Sequence, residues 1–231
     1  MKTIGLIGGM SWESTVPYYR ILNETVKARL GGLHSARVIL YSVDFAEVEH
    51  FQQAGDWESA ARLLGEAARS LQGAGADFLV LCTNTMHRVA PAIEAAAAIP
   101  LLHIADATAA AIVGAGHRCV GLLGTRFTME QSFYKDRLTE RYGLQVLVPE
   151  AAAERELVHR IIYEELCTGK VYTRSRAQCQ RIIEGLIAAG AEAIILGCTE
   201  LSLLLQPDDS TVPLFDTTTL HARFAAEHAL G

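Results

Sequence analysis

"AGADFLVL", residues 74–81, is matched without a gap by "AGAEAIIL", residues 189–196, 115 positions further along the chain. Two more pieces repeat in the same order. "GLIGG" at 5–9 pairs with "GLLGT" at 121–125, 116 positions on, and "IPLLHI" at 99–104 pairs with "VPLFDT" at 212–217, 113 positions on. Any one of these is the sort of likeness two buried strands share by chance. Three at a near-constant spacing point to a duplicated half of about four strands.

The rest of the chain fits that unit. "TIGLIG", "RVILYSV", "DFLVLC", "PLLHI", "CVGLLG", "LQVLVP", "AEAIILG" and "VPLFD" are short, apolar on both faces and bounded by turn residues, the pattern of strands buried in a parallel sheet. Amphipathic stretches separate most of them. Those after Asp56 and after Ser175 end at glycines placed for a left-handed helix cap. Alternation of strand and helix predicts parallel sheets flanked by helices. The expected fold is α/β, with two similar lobes, each a four-stranded parallel sheet, related by pseudo-two-fold symmetry. Residues 1–103 plus 207–231 are assigned to the first lobe and 104–206 to the second, with the segment after Pro207 returning to complete the first lobe.

Composition narrows the function. With 231 residues, 50% of them hydrophobic, the chain can bury one large core or two small ones. The net charge is −6, and no basic run or basic-aromatic cluster occurs, so nucleic acid and anionic membranes are poor partners. The start, "MKTIGLIGGM", is too short and too broken by glycine for a secretory h-region, and no apolar run reaches the ~20 residues of a membrane span. The expectation is a cytoplasmic protein whose five cysteines, with no CxxC pair, are free thiols. "GLIGGMS" lacks the GxGxxG spacing of dinucleotide sites, and "HIAD" at 103–106 has no further ligand pair near it, so no metal is expected.

Ligands of open α/β sheets bind beyond the carboxyl ends of the strands, which directs attention to "CTNT" at 82–85 and "GCTE" at 197–200, expected across one inter-lobe cleft. The ungapped repeat sets Cys82 opposite Gly197 and Thr83 opposite Cys198. Successive strand residues point to opposite faces, so the equivalent pair is Thr83 and Cys198, and Cys82 points away.

The motifs "GLIGGMSWEST", "CTNTMH", "GTRFTM", "EEL" before "TGK", and "GCTEL" together resemble the cofactor-independent aspartate/glutamate racemases over essentially the whole chain. The resemblance implies an isomerase that needs no pyridoxal phosphate and acts on a small amino acid. Two bases flank Cα: one removes the α-proton while the other delivers a proton from the far side. Thiols suit this work because thiol and thiolate can coexist near neutrality. Charge building on the carboxylate must be met by donors, and backbone N–H groups at Gly9, Met10, Ser11, Asn84, Thr85, Thr199 and Glu200 follow strand ends where such donors collect.

In most members of the family that the chain resembles, a cysteine stands directly before the "NT" of the first motif and another follows the Gly of the second; here the first is replaced by Thr83, whose hydroxyl is a far weaker acid than a thiol. Cys198 is therefore the expected base, with Thr83 as proton donor or relay, and the resemblance implies that Cys198 attends the L-enantiomer. A rival reading has Cys82 rotating into the cleft. The Arg that many aspartate racemases use for the distal carboxylate is missing from "DFAEVEHFQQ", leaving Gln52 and Gln53 as substitutes, and Lys170 lies a few residues beyond the family's lysine. Acidic substrates are favoured, with neutral ones open. His87 is read as lining or supporting the pocket, Cys119, Cys167 and Cys179 as apolar fillers, and Trp12 and Trp57 as cleft wall or lobe packing. A single-cysteine decarboxylase or cis-trans isomerase of the same superfamily and a two-lobed binding protein stay open as alternatives, as does a homodimer.

Overall fold

A computed structural model describes residues 1–231. In the first half, β1 (Ile4–Gly8), α1 (Trp12–Leu30), β2 (Val38–Ser42), α2 (Phe45–Ala54), α3 (Trp57–Gly73), β3 (Phe78–Leu81), α4 (Ala90–Ala96) and β4 (Leu101–Leu102) alternate as expected. The second half runs α5 (Ile104–Gly114), β5 (Cys119–Gly124), α6 (Arg126–Glu130), α7 (Ser132–Tyr142), β6 (Gln145–Leu147), α8 (Ala152–Arg160), α9 (Thr173–Ala188), β7 (Ala193–Gly197), α10 (Leu201–Leu204), β8 (Leu214–Asp216) and α11 (Thr217–Leu230). All strand pairs are parallel, in two four-stranded sheets with the same order, β2-β1-β3-β4 and β6-β5-β7-β8. No helix is long and apolar enough to cross a membrane.

The repeated octapeptide has a physical explanation. Gly75 (φ +96°) and Gly190 (φ +104°) follow α3 and α9 in the left-handed region that L side chains rarely adopt. The acidic residue two positions on then holds the first amides of the neighbouring strand. Asp77 accepts from Thr3 N–H at 2.6 Å, while Glu192 accepts from Arg118 N–H at 2.7 Å and Cys119 N–H at 3.2 Å. Those backbone bonds hold the Glu192 carboxyl below its ordinary range. The four apolar residues that follow are buried in both copies.

The ladders carry the equivalence to the strand ends. Ile7 pairs with Leu81 and Leu123 with Leu196, so with β1 and β5 superimposed Leu81 corresponds to Leu196 and Thr83 to Cys198. Packing gives the same answer. Leu79 and Leu81 belong to a core under α3, whereas Phe78, Val80 and Cys82 face α1 and the alanines of α11. In the second sheet Ile194, Leu196 and Cys198 share the core under α8 and α9.

The chain divides into two compact units, Met1–Ile104 with His221–Gly231, and Ala105–Leu220. This corrects the boundary at 207. β8 pairs with β7, Ile194 opposite Leu214, so "VPLFD" completes the sheet of its own half, as its match to 99–104 requires. Only the later part of α11 joins the first unit, where Ala222, Ala225, Ala226 and Ala229 pack on the β1–β3 face. Trp12 is 64% exposed on α1, whereas Trp57 packs against the α3 core beneath the Arg88 guanidinium, 4.2 Å from its ring centre.

Gly197, the counterpart of Cys82, admits no side chain, because a Cβ there would lie 2.6 Å from Leu122 Cδ1 and 2.9 Å from the Leu123 carbonyl oxygen. Gly197→Ala is expected to cost about 2–3 kcal/mol by forcing β5 and β7 apart. A lowered denaturant midpoint at unchanged m-value would show it.

Candidate functional site

In the first unit the candidate residues gather at the carboxyl ends of the adjacent strands β1 and β3. Ser11 is the N-cap of α1: its hydroxyl accepts from Ser14 N–H at 3.4 Å, and its carbonyl accepts from the Thr15 hydroxyl at 2.8 Å. Thr15 Oγ1 also accepts from Gly9 N–H at 2.9 Å, so the turn that presents Met10 and Ser11 is held at both sides. After β3 the chain enters a single 3₁₀ turn, Thr85–Val89. Thr83, Asn84 and Thr85 are all buried, with Thr83 8% exposed, whereas Cys82 is 0% exposed. Burial pushes the Cys82 thiol far above its ordinary range. Gln52, on α2, joins this group by donating to Met86 Sδ at 2.9 Å, while Gln53 is exposed.

Beneath the first motif lies a histidine cluster. The His87 and His103 ring centres are 4.3 Å apart, and those of His87 and His221 are 5.9 Å apart. His87 Nδ1 lies 2.7 Å from the Thr83 carbonyl, which can only accept, and Nε2 lies 3.2 Å from the Ile104 amide, which can only donate. The His87 proton is therefore on Nδ1 and the ring is neutral. His221 is held in the opposite tautomer: Nε2 donates to the Leu102 carbonyl at 2.9 Å, and in the neutral ring Nδ1 accepts from the Tyr18 hydroxyl at 2.9 Å. With both nitrogens engaged by backbone, His87 supports the Thr83 turn.

In the second unit Cys198, Thr199 and Glu200 follow β7. Glu200 is only 2% exposed, and its Oε2 accepts from the Cys198 thiol at 2.9 Å and from the Thr199 hydroxyl at 2.7 Å. Burial first, then the Glu200 carboxylate and the neighbouring Cys167, push the Cys198 thiol well up. Burial and the Glu200 carboxylate thus favour the thiol form of Cys198 over the thiolate.

His159 and Tyr163 are not singled out by the sequence analysis, which reads Cys167 only as an apolar filler. His159, Tyr163 and Cys167 recur every four residues, from the last turn of α8 through a π-helical turn, Ile161–Glu165, into a 3₁₀ turn, Leu166–Thr168. Cys167 packs against the core that holds Cys198, and the Tyr163 ring centre is 4.7 Å from that of His159. His159 Nδ1 accepts from Arg126 N–H at 3.4 Å, and burial lowers the imidazole below its ordinary range. Arg126 opens α6, directly after Thr125, the counterpart of Gly9 in the repeat, and its side chain reaches Glu156 at 3.5 Å. The spacing in "HRIIYEELC" is the signal that would have placed His159, Tyr163 and Cys167 on one helix face. Lys170 is exposed. Asp106, next to "HIA", is engaged by Arg137, with two bonds of 2.6 Å; these outweigh burial and hold its carboxyl down.

Comparison with known proteins agrees with these motifs. A family model described as Asp/Glu/hydantoin racemase matches residues 7–225. The broad specificity amino-acid racemase RacX of Bacillus subtilis is 24% identical over 223 residues, 95% of each chain. A crystal structure of a candidate Asp/Glu racemase from Yersinia pestis is 59% identical with a TM-score of 0.92, and an aspartate racemase homologue from Pyrococcus horikoshii is 37% identical with a TM-score of 0.84; both cover 100% of each chain. The match runs from β1 into α11 and takes in both strand-end motifs, and on that basis the chain belongs to the Asp/Glu/hydantoin racemase family.

Proposed function

We propose that the protein is a cofactor-independent amino-acid racemase of aspartate/glutamate type, with Cys198 as the base toward the L-enantiomer and Thr83 as the opposing proton donor or relay. The observation that carries this reading is the equivalence of the two strand ends. The same position in each half of a duplicated fold bears a side chain with a transferable proton, a thiol in one and a hydroxyl in the other.

In this reading the substrate's ammonium group brings a positive charge that favours the thiolate, and Glu200 accepts the Cys198 proton. The thiolate then removes the α-proton, leaving the C–H electron pair on Cα, while the Thr83 hydroxyl protonates the opposite face and must recover a proton before the next turnover. Backbone amides at Met10, Ser11, Asn84, Thr85, Thr199 and Glu200 are the donors for the carboxylate, whose charge grows as Cα loses its proton. Gln52 and Arg126 are the candidates for the distal group of the substrate, which makes aspartate and glutamate the first to test.

Incubation with L-aspartate or L-glutamate in deuterium oxide tests the reading. Deuteration at Cα supports it. Loss of CO₂ or isomerisation would instead assign a single-cysteine decarboxylase or isomerase, and bound but unchanged ligand would assign a binding protein.

The thiol–carboxylate pair gives a pH prediction. Glu200 raises the Cys198 thiol by its charge and by the bond it accepts, so removing that charge lowers the thiol's pKa. In Glu200→Gln the acid limb of L-side exchange, where the rate rises as the Cys198 thiolate forms, is expected to move to lower pH, together with the pH dependence of iodoacetamide alkylation at Cys198. An unmoved limb would show that Glu200 does not set the thiol's protonation.

A further inference from the structure

The two halves close their strand ends differently. In the second half the ladder between β7 and β8 runs to Leu196 opposite Asp216, and the Thr217 hydroxyl then donates to the Leu196 carbonyl at 2.8 Å. The match of 99–104 to 212–217 makes His103 the counterpart of Asp216 and Ile104 that of Thr217. In the first half the ladder between β3 and β4 stops one pair sooner, at Val80 opposite Leu102, and isoleucine has no hydroxyl to continue it.

An imidazole takes that place. Buried His87 bridges the diverging chains, donating from Nδ1 to the Thr83 carbonyl at 2.7 Å and accepting at Nε2 from Ile104 N–H at 3.2 Å. In the same register Ser202 stands where His87 does, and its hydroxyl donates to the Thr199 carbonyl at 3.2 Å. The Cys198 carbonyl is met by backbone, the Leu201 N–H at 3.1 Å, whereas the Thr83 carbonyl is met by a side chain.

Peptide geometry gives this contact its consequence. The Thr83–Asn84 peptide is trans and planar, so the carbonyl that His87 holds and the Asn84 N–H point in opposite directions from one rigid plane. Fixing the first aims the second. Thr83 N–H donates to the Leu81 carbonyl at 2.9 Å, so the backbone is held on both sides of the Thr83 side chain. The His103 and His221 rings, with centres 4.3 and 5.9 Å away, pack against the imidazole and restrict its rotation.

We propose that His87 is a positioning residue for the amino-acid site: its Nδ1–H sets the Thr83–Asn84 peptide plane, and with it the Thr83 side chain and the Asn84 amide that meets the substrate carboxylate. This rests on the racemase reading above. A donor aimed before the substrate arrives needs no reorganisation as charge develops on the carboxylate.

Two replacements of nearly one shape test the proposal. Asparagine at 87 can still donate to the Thr83 carbonyl and leucine cannot, while both give up the ring and the bond to Ile104. From L-aspartate in deuterium oxide, α-deuteration is followed by proton NMR and inversion by chiral chromatography; in the racemase reading the first needs only Cys198 and the second also needs Thr83. The ratio of inversion to deuteration is expected to fall about tenfold or more in His87→Leu and to stay within about threefold of the parent in His87→Asn. Equal ratios in the two variants, both lowered or both kept, overturn the proposal. A parent that exchanges no α-proton would instead remove the racemase reading, and amide hydrogen exchange then decides the role of His87. The Asn84 N–H is expected to exchange about tenfold faster in His87→Leu than in His87→Asn, and equal rates overturn the proposal. Should His87→Leu fail to fold, His87→Gln, whose amide lies one carbon further out, takes its place with the same outcomes.

Discussion

Cys198→Ala is expected to lower α-proton exchange from the L-enantiomer by about 10³-fold or more, within the 10²–10⁴ scale of a positioned proton-transfer group. Cys167 is nearby in the same core but belongs to another element, and Cys82 points to the opposite sheet face with 0% exposure. Cys82→Ala is therefore expected to retain most of the exchange and to show its effect as lost stability, about 1–2 kcal/mol for the removed packing. Deuterium incorporation followed by proton NMR, beside denaturant midpoints for the two variants, separates the roles. Equal loss of exchange in both would contradict the strand register.

Thr83→Cys is expected to raise exchange from the D-enantiomer relative to the L-enantiomer by about tenfold or more, on the same scale of proton-transfer effects. A threonine hydroxyl can give up a proton to a carbanion, but to abstract one it must first become an alkoxide, which is scarce near neutral pH. A thiol in its place restores a competent base on that side. The equilibrium constant between enantiomers is one in parent and variant alike, so both directions of complete racemisation share the same highest barrier. The asymmetry has to be read in initial exchange rates, measured from each pure enantiomer. A parent that exchanges both at the same rate, or a variant whose ratio does not move, would remove Thr83 from the second proton-transfer position.

What could be read from the sequence was what local pattern encodes. All eight strands were legible because each is a short apolar run between turn residues, and the doubling was legible because the same turn, acidic residue and strand recur. The correspondence of Thr83 with Cys198 followed from an ungapped match alone. The return point of the chain lies beyond β8, because 212–217 repeats the fourth strand of the first half and pairs with β7; only the pattern of α11, and not a turn signal near Pro207, marks the crossing. The surroundings of Cys198 were not legible for a different reason. Its neighbour two residues on is a carboxylate that turns back onto the sulfur, and burial around both depends on α8, α9 and the turn carrying Cys167. The face bearing His159, Tyr163 and Cys167 went unread because it crosses three kinds of helical turn.

The opposed tautomers of His87 and His221 give the first unit a built-in spectroscopic label. In ¹⁵N spectra of the imidazoles, a protonated nitrogen and a bare one resonate far apart, so the two rings should report mirror-image assignments: Nδ1–H for His87, Nε2–H for His221. Because the His87 proton points at the carbonyl of Thr83, any ligand that shifts that turn changes the environment of one ring proton directly. The same spectrum, followed during titration with each enantiomer, would register occupancy at the Thr83 end even in a variant that no longer turns over.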